Sequence, residues 1–132
     1  MSCLLDTHVL LWTLFDPARL SNKAAEYLQN PDESVLVSVA SFWEISLKYA
    51  TGKLELSGAL PDDFPAIVRQ SGFDILPIAE SDAATFHHLP RLAHKDPFDR
   101  LIIWQAISHK LPLVSQDNAF GVYKELGLKV LW

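Results

Sequence analysis

Apolar residues occur along this chain in short continuous runs that do not alternate with polar residues. Runs of this kind, rich in strand-forming residues, are typical of strands covered on both faces, as in a parallel sheet. The pattern therefore predicts five strands, at residues 3–5, 35–37, 73–76, 113–114 and 128–131.

Between these runs lie longer stretches with helical spacing of apolar residues, bounded by Gly and Pro. Because strands and helices alternate, the pattern predicts an α/β fold. The connection from the second to the third strand and that from the third to the fourth each have room for two helices. Right-handed crossovers place these helices on the two faces of the sheet. We therefore expect a three-layer α/β/α sandwich around a mostly parallel, five-stranded sheet. The predicted helices are residues 8–15, 21–29, 41–51, 61–70, 79–87 and 97–109.

Length and composition indicate one folded domain. The chain has 132 residues, of which 49% are hydrophobic and 20% are charged, close to the globular average. No linker-like segment or internal repeat interrupts it, so residues 1–132 are predicted to form a single domain. The net charge of −5 excludes a general attraction to nucleic acid, so any binding to phosphates must be local.

The only cysteine and the first residues of the chain bear on its location. Cys3 has no partner for a disulfide or a cysteine-based metal site, and it is predicted to pack as a small apolar side chain. The sequence shows no secretory signal, and no apolar run approaches the roughly 18 residues of a membrane span. These features predict a cytoplasmic protein with no membrane partner.

Four acidic residues stand where the predicted sheet would gather them. Asp6 ends the first strand and Asp117 closely follows the fourth, while Glu44 and Asp99 are each predicted in the first turn of a helix. In open α/β sheets, ligands bind beyond the carboxyl ends of the strands. We therefore expect these four side chains to converge at that end of the sheet.

Carboxylates brought together in a partly apolar site repel one another, so a cation is the natural compensation. Oxygen-only ligands, without cysteine or paired histidines, favour Mg²⁺ or Mn²⁺ over Zn²⁺. The same carboxylates have room for one ion or two. Ions held in this way activate water and stabilise the leaving oxygen in phosphodiester hydrolysis.

Each acid also has a purely structural role available to it. The Ser41-x-x-Glu44 spacing matches a capping box, and Asp6 and Asp117 have the positions of a helix cap and an Asx-turn. Capping accounts for each acid singly, but it does not account for four acids at one end of a sheet. The set therefore favours a metal site.

Asp96 and Asp99 lie one helical turn apart and must be told apart. Asp96 precedes Pro97, which is favoured at the first helical position, so Asp96 is predicted to cap the helix and Asp99 to fall at its third position. Asp99 is therefore the predicted metal ligand. Asp96 remains a possible supporting residue.

The order and spacing of these segments resemble the PIN-domain family, and more narrowly the VapC-like toxins of type II toxin–antitoxin pairs. The resemblance spans nearly the whole chain. It rests on the segments LLDTH (4–8), SVASFWEI (38–45), HKDPFDR (94–100), LVSQD (113–117) and GLKVLW (127–132).

The resemblance implies a metal-dependent endoribonuclease and toxin that cleaves RNA, with transfer RNA as a family-level substrate. It assigns the catalytic and metal-binding acids to Asp6, Glu44, Asp99 and Asp117, with Mg²⁺ or Mn²⁺ as the cofactor. Thr7 and Ser115 match hydroxyl positions beside these acids. It further implies a cognate antitoxin whose helix lies in an apolar groove and whose basic side chain enters the acidic site, and a homodimer.

Basic residues near the acidic segments are candidates for binding RNA phosphates, although solvated surface charge is the better explanation for any one of them. They are Lys48, Arg91, His94, Lys95 and Arg100.

Three other classes of protein are alternatives to a metal-dependent nuclease, and two of them lack residues that they require. A receiver domain needs an acid pair after the first strand and a late lysine, and an aspartyl phosphatase needs a second acid where this chain has His8. The more serious alternative is a catalytically inactive PIN-like domain that binds proteins through its four tryptophans, most of which are nevertheless expected in the core. The candidates are Trp12, Trp43, Trp104 and Trp132.

Overall fold

A computed structural model describes residues 2–92 and 95–132, and its strands lie where the apolar runs predict them. Every strand pair is parallel, and the strand order is β3-β2-β1-β4-β5. The prediction of a five-stranded parallel sheet is therefore confirmed. The strands are β1 (Ser2–Leu5), β2 (Ser34–Ser38), β3 (Asp74–Leu76), β4 (Leu113–Val114) and β5 (Val130–Leu131).

All six predicted helices are present, with small shifts at their ends. Short 3₁₀ turns replace the first turn of the predicted helix 61–70 and the last residues of helix 79–87. The helices are α1 (Thr7–Phe15), α2 (Asn22–Gln29), α3 (Val39–Ala50), α4 (Phe64–Gln70), α5 (Glu80–Thr85) and α6 (Pro97–Ser108).

A further 3₁₀ segment, Asn118–Leu126, is absent from the sequence prediction. It buries Phe120 and Tyr123, whose spacing of three matches the three residues per turn of a 3₁₀ helix. Gly127, at φ 100°, ends the segment in a left-handed conformation that suits glycine. A 3₁₀ run of this length is uncommon, so the apolar spacing of an α-helix could not reveal it.

The start of α3 corrects the predicted capping box. Ser38, not Ser41, is the N-cap, and its hydroxyl accepts a hydrogen bond from the Ala40 N–H. Because β2 runs directly into α3, the helix begins before Ser41. Glu44 consequently lies in the second turn, so its predicted place in the first turn was wrong.

Alternate residues of the strands pack into two separate cores. Cys3 and Leu5 of β1 face one core, with residues of α1, α2 and α4, whereas Leu4 faces the other, with residues of α6. Helix α3 contributes to both cores, through Ile45 and Ala40 respectively. The three-layer sandwich is therefore confirmed, and it explains why the strand sequences are continuously apolar.

The order of the strands reverses between β1 and β4, because the chain moves outward from β1 to β3 and then returns to β4 on the other side. A reversal of this kind opens a crevice at the carboxyl ends of the two strands. Within the described residues, no helix is long and apolar enough to span a membrane.

Cys3 offers a test of the packing of β1. The side chain is fully buried, and burial raises the pKa of its thiol to about 12. Since only the thiolate reacts readily, we predict that DTNB does not label Cys3 in the native protein at pH 8 but labels it fully in denaturant. A Ser57→Cys variant, which adds an exposed cysteine, should react at once, and rapid labelling of native Cys3 would contradict the buried strand.

Candidate active site

The crevice between β1 and β4 is built around Asp6 and Ser115. Asp6 directly follows β1 and is almost fully buried, and its Oδ2 accepts a hydrogen bond of 2.9 Å from the Ser115 hydroxyl. Ser115 follows β4, and its Oγ also accepts from the Asp117 N–H at 3.0 Å. The predicted supporting residue Ser115 therefore connects the two acids that follow these strands.

Helices α3 and α6 bring three further carboxylates together. One carboxylate oxygen from each of Glu44, Asp96 and Asp99 lies within 4.8 Å of the other two. Glu44 is buried, and the two aspartates are partly buried. Oxygen ligands on opposite sides of a divalent ion, each at 2.0–2.6 Å, lie about 4–5 Å apart, so the spacing suits such an ion.

Lys48 already places one cation against this cluster. It lies one helical turn after Glu44 and forms ion pairs with Glu44 Oε2 and, at 3.6 Å, with Asp96 Oδ2. Partial burial lowers the pKa of Lys48, but these carboxylates raise it by more, so the net pKa lies above its usual value. The ammonium therefore stays charged and offsets part of the repulsion among the acids.

One oxygen of the cluster has no hydrogen-bond donor within residues 2–92 and 95–132. Glu44 Oε1 is buried, and none of the described residues donates to it. A buried carboxylate oxygen without a partner is costly, and a metal ion would satisfy it. The residues present therefore fit a divalent cation.

The pKa values of Asp99 and Asp6 are both raised, which also favours a cation at this site. Burial, together with repulsion from Asp6, Glu44 and Asp96, raises the pKa of Asp99 to about 7, although Lys48 partly offsets the effect. Burial also raises the pKa of Asp6, against the lowering effect of its bond from Ser115. In the absence of metal, ionising Asp6 and Asp99 in this site therefore costs free energy.

The four predicted acids are not equivalent in this geometry. The charge of Glu44 contributes to the raised pKa of Asp6, and the charges of Asp6 and Glu44 contribute to the raised pKa of Asp99. Asp117 is exposed and lines an open cavity of about 580 Å³ together with Asp6 and Asp99. Its Oδ1 accepts from the Ala119 N–H at 2.9 Å, which matches the predicted local turn. Asp117 therefore borders the same cavity as Asp6 and Asp99.

Asp96 combines the two roles that the sequence left open. Its Oδ1 accepts from the backbone N–H groups of Phe98 at 2.8 Å and Asp99 at 3.4 Å, which confirms it as the N-cap of α6. Its other oxygen faces Lys48. Asp96 thus caps the helix and still contributes a carboxylate to the cluster.

Thr7 and two cavity-lining residues complete the surroundings. The buried Thr7 hydroxyl shares a hydrogen bond of 2.9 Å with the Ser41 hydroxyl, which joins α1 to α3. His8 and Trp12, on the same helix, line the cavity beside Asp6. Neither was predicted to line the site, because Trp12 was considered as a protein-contact residue and His8 only as evidence against a phosphatase; their positions two and six residues after Asp6 on a predicted helix were the available signal.

The basic candidates divide into engaged and exposed residues. Arg100 donates to the Leu89 carbonyl at 3.0 Å, and its guanidinium lies 4.8 Å from the centre of the Phe86 ring. Arg91 and Lys95 are exposed. Of the other two, Lys48 is paired as described, and His94 lies outside the described residues.

The fold and this acidic site define the class of protein. The PIN domain family matches residues 3–126, and the chain therefore belongs to the PIN-domain family. A curated relative, Ribonuclease VapC22 of Mycobacterium tuberculosis, is 31% identical over 98% of this chain and 97% of its own length.

Two solved structures share the fold of this chain. VapBC2 from Rickettsia felis, bound to a DNA fragment from its promoter, has a TM-score of 0.71 at 15% identity and covers 99% of this chain and 98% of that chain. FitAcB from Neisseria gonorrhoeae has a TM-score of 0.61 at 23% identity, covering 100% and 97% respectively. These likenesses confirm the PIN fold.

The raised pKa of Asp99 predicts how the metal-free protein responds to pH. Unfolded aspartate has a pKa near 3.9, so between about pH 4 and 7 the folded state holds a proton that the unfolded state has released. Stability contributed by Asp99 should therefore fall as pH rises through this window. In chelator-treated protein, Asp99→Asn should flatten the decline in melting temperature from pH 5 to 7.5, measured by calorimetry.

Asp96→Asn is the matched control, because asparagine caps a helix about as well as aspartate. We expect Asp99→Asn to be stabilised without metal at pH 7.5 and to lose most of the thermal shift on adding Mn²⁺. Asp96→Asn should keep most of that shift, since both of its oxygens already have partners. Equal loss in both variants would place Asp96 among the ligands, and loss in Asp96→Asn alone would contradict the assignment.

Proposed function

We propose that this chain is a metal-dependent endoribonuclease that hydrolyses RNA, and that it acts as the toxin of a toxin–antitoxin pair. The observation that carries the proposal is the buried carboxylate cluster at the β1–β4 crevice, with a Glu44 oxygen that has no donor among the described residues. The 31% identity to a ribonuclease over nearly the whole chain supports the same reaction.

The residues have distinct proposed roles. Asp6, Glu44 and Asp99 hold one or two ions of Mg²⁺ or Mn²⁺, and Asp117 contributes from across the open cavity. Ser115 orients Asp6 through its hydrogen bond. Such an ion supplies an activated water and stabilises charge on the leaving oxygen.

Lys48 is proposed to exchange partners when the site is loaded. Its ammonium neutralises Glu44 and Asp96 in the absence of metal, and its side chain is about one-third exposed. With a divalent ion held by the acids, the Lys48 ammonium would be free to contact a substrate phosphate. The exposed Arg91 and Lys95 can add local positive charge on a chain whose net charge is −5.

RNA is the proposed substrate, with transfer RNA as the form that the resemblance implies. The cavity that Asp6, Asp99 and Asp117 line is open and about 580 Å³ in volume, enough to admit a phosphodiester backbone. Specific recognition of RNA usually targets its single-stranded loops. Any sequence preference would then come from the protein loops and the protein surface around this cavity.

The proposed antitoxin site lies beside the acidic cavity. A groove of about 460 Å³, lined by both apolar and charged residues, runs between α1 and the segment 54–57, and Trp12 lines both the groove and the cavity. A helix seated in the groove could place a basic side chain among the acids, where it would form a charge-assisted hydrogen bond. The apolar residues of the groove are Leu11, Trp12, Phe15, Leu54 and Leu56.

We propose that a second copy of the chain binds at a different surface, the one around Trp43, to form a homodimer. Trp43 is 59% exposed and packs edge-on against Phe98, beside an apolar groove of about 290 Å³. By contrast, Trp12 and Trp132 pack against each other with ring centres 5.9 Å apart. Trp43 is therefore the tryptophan best placed to contact another chain.

The ribonuclease proposal predicts RNA cleavage by purified protein with Mg²⁺ or Mn²⁺ that stops when EDTA is added. Asp6→Asn should lower the rate by about 100-fold or more, as loss of other charge-stabilising groups does. Asp62→Asn, which changes an exposed acid far from the site in sequence, should leave the rate unchanged. Cleavage that survives both EDTA and Asp6→Asn would refute the proposal and indicate a contaminating nuclease.

The partner proposals predict that expression arrests growth and that co-expression of the adjacent gene's product relieves the arrest. Trp12→Ala should weaken relief, because it removes apolar contact area from the proposed groove. Growth without arrest would count against the toxin role.

Light scattering of the isolated protein should give twice the mass of one chain. A monomer at micromolar concentration would refute the dimer.

A further inference from the structure

Helices α3 and α6 meet at two polar contacts separated by the same number of residues on each helix. Ser38, at the start of α3, bonds to Gln105 late in α6, and six residues further along α3 Glu44 meets Asp99, six residues earlier on α6. The helices therefore run antiparallel, and the two contacts are about 9 Å apart along each axis.

Gln105 has both ends of its amide engaged although it is completely buried. Its Oε1 accepts a hydrogen bond from the Ser38 hydroxyl, while its Nε2 donates to the Pro77 carbonyl and to Asp82 Oδ2, each at 3.1 Å. Reversing the amide would turn its oxygen toward two acceptors. The carbonyl end is therefore fixed toward α3.

The anchor on the far side of Gln105 is itself well held. Asp82 is buried and accepts from the Ala79 N–H at 3.0 Å, and its other oxygen lies 3.0 Å from His109 Nε2. On the near side, the Ser38 hydroxyl also accepts from the Ala40 N–H, as the cap of α3. Gln105 thus joins the first turn of α3 to α6 and to the start of α5.

We infer that Gln105 is a positioning residue whose bond to Ser38 sets the register of α3 against α6, and so holds Glu44 and Asp99 at the separation a divalent ion requires. The inference rests on the proposed function only in taking these two carboxylates as metal ligands. Gln105 does not touch the acids, and it acts through the two helices.

The bond between Ser38 and Gln105 opposes the repulsion between the paired acids, in addition to the apolar packing of the two helices. Glu44 and Asp99 repel when ionised, and without metal Lys48 supplies compensating charge mainly to Glu44 and Asp96. A helix is stiff over six residues, so a bond at Ser38 limits how far Glu44 can move from Asp99. Ligand positions must be held within about 0.5 Å for a functional site.

Trp43 and Phe98 provide a metal-independent reporter of this register. Each ring immediately precedes one of the paired acids, and the two rings meet edge to face with centres 4.9 Å apart. A nuclear Overhauser effect between them in metal-free protein therefore reports whether α3 and α6 keep their alignment.

The test compares Gln105→Leu and Ser38→Ala, which remove the bond from either side, with Val68→Ala as a control. Val68 is fully buried on α4 in the opposite core, so its truncation lowers stability without touching the α3–α6 contact. We expect both bond-removing variants to weaken the Trp43–Phe98 signal and to bind Mn²⁺ roughly tenfold more weakly by calorimetry, as is typical when groups that support metal ligands are lost. Val68→Ala should change neither the ring signal nor the affinity for Mn²⁺. The double variant Ser38→Ala with Gln105→Leu should bind Mn²⁺ no more weakly than whichever of the two single variants binds it more weakly.

The outcomes separate this inference from the proposed function. If the wild type neither binds Mn²⁺ nor cleaves RNA, the proposed function fails, and the ring contact alone still decides whether Gln105 sets the register. An unchanged ring signal in both bond-removing variants would overturn the inference. It would also be overturned by unchanged Mn²⁺ affinity in a wild type that binds, or by an equal loss in Val68→Ala.

Discussion

Repulsion among carboxylates at the β1–β4 crevice is the constraint around which this structure is organised. Asp6, Glu44, Asp96 and Asp99 come from three separate segments of the chain, and ionising them together costs free energy in a partly buried place. The fold tolerates the cost because two apolar cores, one on each face of the sheet, fix the segments independently of the acids. The stability of the domain and the strain at its site are therefore located in different parts of the molecule.

The compensation built into the chain is partial. Lys48 pairs with Glu44 and Asp96, Ser115 donates to Asp6, and the first backbone N–H groups of α6 satisfy one oxygen of Asp96. The Glu44 Oε1 atom still has no donor among the described residues, and Asp99 keeps a pKa near 7. The described residues therefore compensate the charge of the acids only in part.

Two of these acids make a local structural bond and also face the acidic site. Capping and metal binding appeared as alternatives for each residue, yet Asp96 caps α6 with one oxygen and faces the cluster with the other. Asp117 likewise makes a local turn bond while it lines the acidic cavity. A carboxylate has two oxygens with several lone pairs, so one acid can serve the backbone and the site together.

The sequence by itself determined the elements and the end of the sheet at which the acids lie. Apolar runs placed β1 to β5, and the Asp96-Pro97 pair placed the start of α6, because such signals depend on residues within one helical turn or one strand. Only the tertiary structure decided the rest. The start of α3 at Ser38, the pairing of Lys48 and the bond between Ser38 and Gln105 depend on how separate segments pack, and no local pattern in the chain encodes those distances.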